Sequence, residues 1–519
     1  MASTESVKEI ENNEQTPNTD QNVERMSSTT STNNIEQNLP GQTENITTSN
    51  FDSLDISPQL KENLSSLGFT KMMKIQNEAI PVILNGKNVL AAAKTGSGKT
   101  LAFLVPAIDY MIKNSVTPES GIVTLIIAPT RELAVQTNEV ATKLLQNTGI
   151  TNGLSIGGTH KKAEAKAIAS GINLLVATPG RLVDHILDTD KFTLTTVKFF
   201  VIDEADRILE IGSFKTQLEE IIQNLQSVHQ TLLFSATLSQ DISNLATLSF
   251  KNEDHVYIGV DNQSSSSTAT GLKQSYIICP PDKRLFLLIT FLTSKRAKGK
   301  KIMIFFSTRS SVRFHHDLLS ALKINTIAIH GEQSQQKRIE GFNSFRESKE
   351  GIMICTDVAA RGLDIPAVEW IIQYDPPSSE KEYIHRVGRS ARAGAEGQAL
   401  LFLMENEKPF LQILRSAKVP LQKLPMPKLN ELKLVLAEAL SKDRKLMKSA
   451  KEALQSYLLA YEQHPLRNCF DIAKLDIEGV AKSFGFEEMP QLDIQESRKK
   501  KSADNGAWIQ KEKMKKQKK

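Results

Sequence analysis

The chain has 519 residues, 40% apolar and 24% charged, and 64 Lys and Arg against 59 Asp and Glu leave a formal charge of only +5. That length suggests about two to four domains, and the composition is that of a soluble globular enzyme or binding protein. No apolar run is long enough for a membrane span, no basic-then-apolar stretch reads as a secretory leader, and Cys279, Cys355 and Cys469 are too few and too scattered for a disulfide framework.

Three such cysteines fit a reducing compartment. The charge is unevenly spread: residues 1–50 carry eight acidic and two basic side chains and residues 498–519 ten basic and two acidic, which leaves +3 for the 447 residues between. The first 50 residues are rich in Asn, Thr, Ser, Gln and Glu, and they cannot bury enough surface to offset the entropy of ordering. An acidic, disordered leader is expected over 1–50.

From Phe51 onward, short apolar runs alternate with longer helix-like stretches, the pattern of parallel sheets covered by helices on both faces. The first set of predicted strands is Asn88–Ala91, Thr124–Ala128, Leu174–Ala177, Phe199–Ile202 and Thr231–Phe234. Gly259–Gly271, poor in apolar residues, breaks the pattern. A second set follows at Ile302–Phe306, Thr326–Ile329, Gly351–Cys355, Trp370–Gln373 and Ala399–Leu403. The fold class is therefore α/β, with two tandem doubly wound lobes, 51–258 and 272–418, joined by a linker at 259–271. Helical spacing takes over at Leu429, Leu432, Leu436 and Leu440, and again at Leu454, Tyr457, Leu458 and Tyr461, so a small helical extension is expected over 419–490. A basic disordered tail is expected over 491–519. Its Arg498-Lys499-Lys500-Lys501 and the Lys-rich run from Lys511 read either as nuclear targeting with non-specific RNA affinity or as a solvated terminus.

Ala93-Lys94-Thr95-Gly96-Ser97-Gly98-Lys99-Thr100 follows the first strand and opens a helix. Glycines let backbone N–H groups wrap phosphates at a helix N-terminus, Lys99 reaches the β- and γ-phosphates, and the Thr100 hydroxyl can ligate Mg²⁺. Ala93 stands where the general pattern has its first Gly, so the motif alone reads equally well as a Gly-rich turn. However, Phe199–Ile202 runs straight into Asp203-Glu204-Ala205-Asp206. An apolar strand ending in carboxylates presents them to a metal: Asp203 would hold Mg²⁺, and Glu204 would orient or deprotonate the attacking water. Together the two motifs predict hydrolysis of a nucleoside triphosphate.

These motifs and their surroundings resemble the DEAD-box RNA helicases, from Phe51 to about Leu403. The resemblance implies two RecA-like lobes, ATP and Mg²⁺ as cofactors, and RNA-stimulated ATP hydrolysis. By resemblance Gly68-Phe69, Lys74 and Gln76 read adenine together with Phe51, Gln76 by hydrogen bonds and Phe51 by stacking, although Met72-Met73 replace the family's usual Pro-Thr. Pro129-Thr130-Arg131-Glu132-Leu133, Gly157-Gly158 and Thr178-Pro179-Gly180-Arg181 are similar to the RNA-binding motifs of the first lobe. Such contacts position a strand by its phosphates without reading its sequence. Ser235-Ala236-Thr237 is similar to the element that couples hydrolysis to unwinding.

In the second lobe, Ile304-Phe305-Phe306-Ser307-Thr308, His330-Gly331 with Gln335 and Arg338, and the run from Thr356 to Asp364 follow strands in the same way. The resemblance sets Arg338 and Thr356 toward RNA or its support, and Gly362 and Asp364 near the ribose. The run from His385 to Arg392 matches the last motif, with Ser390-Ala391 in place of the commoner Thr-Gly. It puts His385 in the catalytic set and makes Arg389 and Arg392 arginine fingers, worth roughly 10³–10⁵ in rate by analogy.

Residues 91–103, 206–212 and 365–372 are similar to nucleolar DEAD-box helicases of ribosome assembly, as are Tyr457-Leu458-Leu459-Ala460-Tyr461 and the run from Val480 to Phe486. This implies pre-ribosomal RNA and pre-ribosomal particles as partners, a location in the nucleus and nucleolus, no membrane, and a monomeric core. An ATP-gated RNA clamp or assembly scaffold, a general translation or mRNA helicase, and a DNA helicase built on the same engine stand as alternatives.

Overall fold

The computed structural model describes residues 46–492 apart from 94–95, 191, 211, 238, 252, 261–267, 269–270, 358–367, 392–395, 430–437 and 439. The expectations for the leader to residue 45, nearly all of the linker, Lys94, Thr95, Gly362, Asp364, Arg392 and the basic tail from residue 493 fall outside the described residues.

Lobe one is a seven-stranded sheet of β3 (Asn88–Ala92), β4 (Thr124–Ile127), β5 (Asn152–Ser155), β6 (Leu174–Ala177), β7 (Phe199–Ile202), β8 (Gln230–Ser235) and β9 (His255–Gly259), in the order β5-β6-β4-β7-β8-β3-β9. Lobe two contains β10 (Leu272–Ile278), β11 (Lys301–Phe305), β12 (Ile327–Ile329), β13 (Gly351–Cys355), β14 (Trp370–Gln373), β15 (Gly397–Leu403) and β16 (Gln422–Lys423), in the order β12-β13-β11-β14-β15-β10-β16. Adding seven to each strand of the first order gives the second, so the chain builds one fold twice. All pairings in the two sheets are parallel, with Thr124 beside Phe199 in one and Ile302 beside Trp370 in the other. Parallel strands covered on both faces are buried along their length, so Thr124–Ile127, Leu174–Ala177, Phe199–Ile202 and Lys301–Phe305 are buried at every position, including the polar Thr124 and Lys301 at the strand starts.

The structure revises several boundaries. β1 (Ile46–Asn50) pairs antiparallel with β2 (Lys71–Met73), so the last five residues assigned to the leader are ordered. Its β-branched Ile-Thr-Thr run favours a strand, and Thr47 Oγ1 donates to the Met72 carbonyl at 2.9 Å. Gly259, placed in the linker, ends β9, and Val260 still donates to the Ala92 carbonyl. β16, placed in the extension, completes the sheet of lobe two.

The extension does not form a separate core. Its long helix, Arg444–Glu462, is capped by the Asp443 carboxylate, which accepts the N–H groups of Lys445 and Leu446. This helix lies along the helix Arg309–Ala321. Leu446, Ala450, Leu454, Tyr457 and Tyr461, spaced three and four apart along one face, join the buried cluster of lobe two. The last helix, Ile477–Ser483, packs on the turn Pro281–Lys283, and a Cβ at Gly479 would sit 2.8 Å from Pro281 Cγ. All three cysteines are free and buried. Among the described residues no helix is long and apolar enough to cross a membrane.

Candidate active site

The phosphate loop leaves β3, and the helix Lys99–Lys113 begins at Gly98, whose φ of +89° is the left-handed backbone that glycine adopts freely. The exposed Gly96 also has a positive φ, +80°. Lys99 is buried and its Nζ donates to the Ala93 carbonyl at 2.9 Å, while Ala93 N–H is fixed by the Ser235 carbonyl at the end of β8. Thr100, on the first turn, is half-buried.

Gln76 is locked against this loop. Its Oε1 accepts Met73 N–H at 2.8 Å, and its Nε2 donates to the Gly98 carbonyl at 2.9 Å. A Cβ on Gly98 would lie 2.4 Å from Gln76 Nε2 and 2.7 Å from Met73 Sδ. Gly98→Ala is therefore expected to weaken ATP binding about tenfold or more, because it both strains the loop and displaces Gln76, while costing only about 1–2 kcal/mol of stability. Equilibrium titration with a fluorescent ATP analogue, alongside a melting curve, checks this. Lys74 opens the helix Lys74–Leu84 from an exposed position, and the Phe51 ring is only 2% exposed, set into the core of lobe one.

β7 delivers the acidic run to the carboxyl edge of the sheet, where Asp203 N–H is held by the Ile127 carbonyl. Burial pushes the Asp203 carboxyl up to about 7; Lys99 pulls the other way, and the Glu204 and Asp206 charges add to the rise. Glu204 has a φ of +47°, an uncommon backbone for a non-glycine residue and one that marks stored strain. Among the described residues nothing hydrogen-bonds to Ser97 Oγ, Glu204 Oε2 or Asp206 Oδ1, although all three are buried. Nor is there a cluster of three His, Cys, Asp or Glu that would cage a metal ion by itself. Mg²⁺ is held in nucleotide sites by one or two carboxylates together with substrate phosphates, so a desolvated Asp203 within electrostatic reach of Lys99 on the phosphate loop fits it.

Asp206 is the meeting point of the two lobes. Its Oδ2 accepts from Thr237 Oγ1 at 3.2 Å and lies 4.0 Å from His385 Nε2 of lobe two. Ser235 Oγ braces the same turn by donating to the Thr237 carbonyl at 2.7 Å. His385 belongs to the helix Glu380–Val387, and the buried Arg389, 4% exposed, stands in the turn that follows.

The expected RNA residues form a second group. Thr130 caps the helix Arg131–Leu144, next to the buried Pro129. Arg131 lies over the Gly157-Gly158 backbone, where added Cβ atoms would meet its guanidinium at 2.9 and 2.6 Å. Thr178 and Pro179 begin the helix Pro179–Asp188, and Gly180 faces Gln217. Arg131 has its proton affinity lowered by burial first and then by Arg338, with Glu132 opposing and Arg181 adding to the fall. Arg131 thus sits within electrostatic reach of a cation from each lobe, Arg181 and Arg338.

Two of these arginines are engaged within the protein. Arg181 donates to Glu164 Oε2 at 2.9 Å and to Thr159. Arg338 Nη2 lies 2.6 Å from Glu132 Oε1, which also accepts from Gln335 Nε2 at 3.0 Å, a buried contact across the lobes. Thr356 is half-buried just beyond β13.

Sequence reasoning assigned no role to a further buried pair across the lobes, Arg207 with Glu382, at 3.1 Å and with side chains 2% and 3% exposed. The available signal was Arg207 directly after the acidic run. Nothing local to Glu382 points to its partner 175 positions away.

Comparison with known proteins fits this geometry. Residues 73–245 match the DEAD/DEAH box helicase family, 283–394 the helicase conserved C-terminal domain, and 443–492 the C-terminal extension of ATP-dependent rRNA helicases like SPB4. The chain is 46% identical over 447 residues to the probable ATP-dependent RNA helicase ddx18 of Dictyostelium discoideum, covering 86% of this chain and 74% of that one. It is 43% identical over 491 residues to the ATP-dependent RNA helicase DDX18 of Homo sapiens, covering 94% and 72%. Among solved structures, the DEAD-box helicase Mss116 bound to ssRNA and UDP-BeF superposes with a TM-score of 0.76 at 28% identity, over 84% of this chain and 91% of that one. Two seven-stranded RecA-like sheets, a site assembled between them and near-half identity to such helicases lead to one assignment: the chain belongs to the DEAD-box family of ATP-dependent RNA helicases, in the group that carries this C-terminal extension.

Proposed function

We propose that this helicase remodels pre-ribosomal RNA in pre-ribosomal particles, in the nucleolus, with a monomeric core. The phosphate loop with Lys99 binds ATP and Gln76 takes its adenine, while Phe51, buried in the core of lobe one, would have to turn outward to stack on it. Thr100 and Asp203 would hold Mg²⁺, which neutralises charge developing on the phosphates. Glu204 orients and deprotonates the attacking water, while His385, Arg389 and Arg392 complete the site from lobe two. Arg131, Arg181, Arg338 and Thr356, with the backbone at Gly157-Gly158 and Thr178-Pro179-Gly180, hold RNA by its phosphates.

The observation that carries this mechanism is Asp206, which contacts Thr237 in its own lobe and His385 in the other. A site made of two lobes is complete only when they close, so ATP and RNA each favour closure and thereby one another. The choice of pre-ribosomal RNA rests on the match of residues 443–492 to the extension of rRNA helicases. Crosslinking the protein to cellular RNA and sequencing the attached fragments tests it. Ribosomal precursors should dominate, and recovery of mainly messenger RNA would overturn the substrate.

A further inference from the structure

The helix Glu380–Val387 presents Glu382 and His385 to lobe one, and Arg389 follows it, so its orientation decides whether the shared site is assembled. It is held from below by Arg386, which is fully buried. Arg386 makes a two-pronged ion pair to Asp357, with Nη2 2.7 Å from Oδ2, and Nη1 donates to the Asp375 carbonyl at 2.6 Å. The Asp375 carboxylate is shared in turn between Arg284 Nη2, at 2.6 Å, and the N–H and hydroxyl of Ser307, at 2.8 and 2.9 Å.

Arg284 is where the extension enters. It is 1% exposed, donates from Nη1 to the Tyr457 hydroxyl at 3.1 Å, and lies between the rings of Tyr374 and Tyr457 at 4.5 and 5.5 Å. Burial opposes its charge, but Tyr457, Asp375, Tyr374 and Glu407 outweigh that and keep it protonated. A second strut leaves the extension just past its long helix. His464 Nδ1 accepts Leu466 N–H at 3.1 Å, which leaves the proton on Nε2, and Nε2 lies 3.3 Å from the Pro377 carbonyl. Burial pushes this imidazole down to about 4, with the Pro377 carbonyl acting upward and the Arg386 charge downward, so the neutral donor persists at physiological pH. The two struts therefore grip the loop between β14 and the helix Glu380–Val387 at Asp375 and at Pro377.

We propose that the C-terminal extension is a positioning element for the ATP site, acting through Tyr457 on Arg284 and through His464 on Pro377 to set the helix that carries His385. This rests on the reading of His385 and Arg389 as groups that serve ATP hydrolysis. Tyr457, Arg284 and His464 are positioning residues, since among the described residues their hydrogen bonds and ring contacts lie within lobe two and the extension.

The test is the full-length variant Tyr457→Phe/His464→Phe, which keeps an aromatic ring at both positions and removes the hydrogen bonds. The RNA-stimulated kcat should fall about tenfold, the worth of one or two hydrogen bonds to a charged or buried group, while the KM for ATP stays within about twofold. Hydrogen exchange supplies a second readout: the amides of Glu380–Val387 should exchange faster in the variant, with those of β4 and β7 unchanged. An unchanged kcat with a lowered melting temperature, or equal protection of that helix in both proteins, would overturn the proposal and leave the extension as a cap. A wild-type chain without RNA-stimulated ATPase would instead sink the reading of the site itself.

Discussion

Replacing Glu204 by Gln should lower RNA-stimulated ATP turnover by roughly 10²–10⁴-fold, the usual worth of a general base, while leaving ATP and RNA binding intact. The substitution keeps the size of the side chain, its buried setting and the left-handed backbone at +47°, so the folded state carries the same strain before and after. What is lost is the capacity of Oε2, which no group of the chain engages among the described residues, to take a proton. Single-turnover hydrolysis and strand displacement, measured together, check it. A fall of less than tenfold would mean that the water is organised elsewhere. The same variant separates helicase from clamp: a scaffold would still support ribosome assembly with hydrolysis abolished, and a remodelling enzyme would not.

The second large effect is expected at Arg207. Removing one partner of a buried ion pair costs about 3–5 kcal/mol, because the remaining charge is left desolvated and alone. In Arg207→Met that cost falls on Glu382 only when the lobes are together, since separated lobes return Glu382 to water. ATP-dependent RNA binding should therefore weaken roughly 10²–10³-fold, while RNA binding without nucleotide changes little and lobe one loses only the partly exposed contact of Arg207 with Glu210 at 3.5 Å. Adding Glu382→Met should recover much of the loss, because it removes the carboxylate that Arg207→Met leaves at the lobe contact, while Glu210, the other partner of Arg207 at 3.5 Å, stays partly exposed to water. RNA affinities with and without a non-hydrolysable ATP analogue decide the matter. Equal losses in both conditions would show that the pair does not report closure.

The central strands were legible because parallel strands buried on both faces have no polar positions to blur the run, as in Leu174–Ala177 and Phe199–Ile202. β5, β9 and β16 lie at sheet edges and carry Gly153, His255 and Gln422, while β10 opens with the polar stretch Lys273-Gln274-Ser275 after Leu272; none produced a clear run. The phosphate loop and the acidic run were legible for another reason: their chemistry is contiguous, so spacing alone exposes it. The contacts that join the lobes are between distant residues. Glu132 with Arg338 and Arg207 with Glu382 are ordinary helix residues in their own neighbourhoods, and only the fold pairs them. Arg181 carries the same lesson in reverse, since its motif suggested a phosphate ligand and the Glu164 that shares it belongs to another helix.

The repeated strand order extends to single residues. β3 and β10 occupy equivalent places in their sheets, and each leads to a helix whose first residue is a buried cation, Lys99 in one lobe and Arg284 in the other. β7 and β14 are likewise equivalent, and each is followed within two residues by a buried aspartate, Asp203 and Asp375. Lobe two therefore has its own cation and carboxylate at the spot where lobe one receives a nucleotide. There Arg284 meets Asp375 directly, the Tyr457 hydroxyl accepts another of its N–H groups, and the turn before Arg284 lies beneath the helix Ile477–Ser483. The position in lobe two that matches the phosphate site of lobe one is thus filled by the chain's own side chains, and it gives the extension its socket.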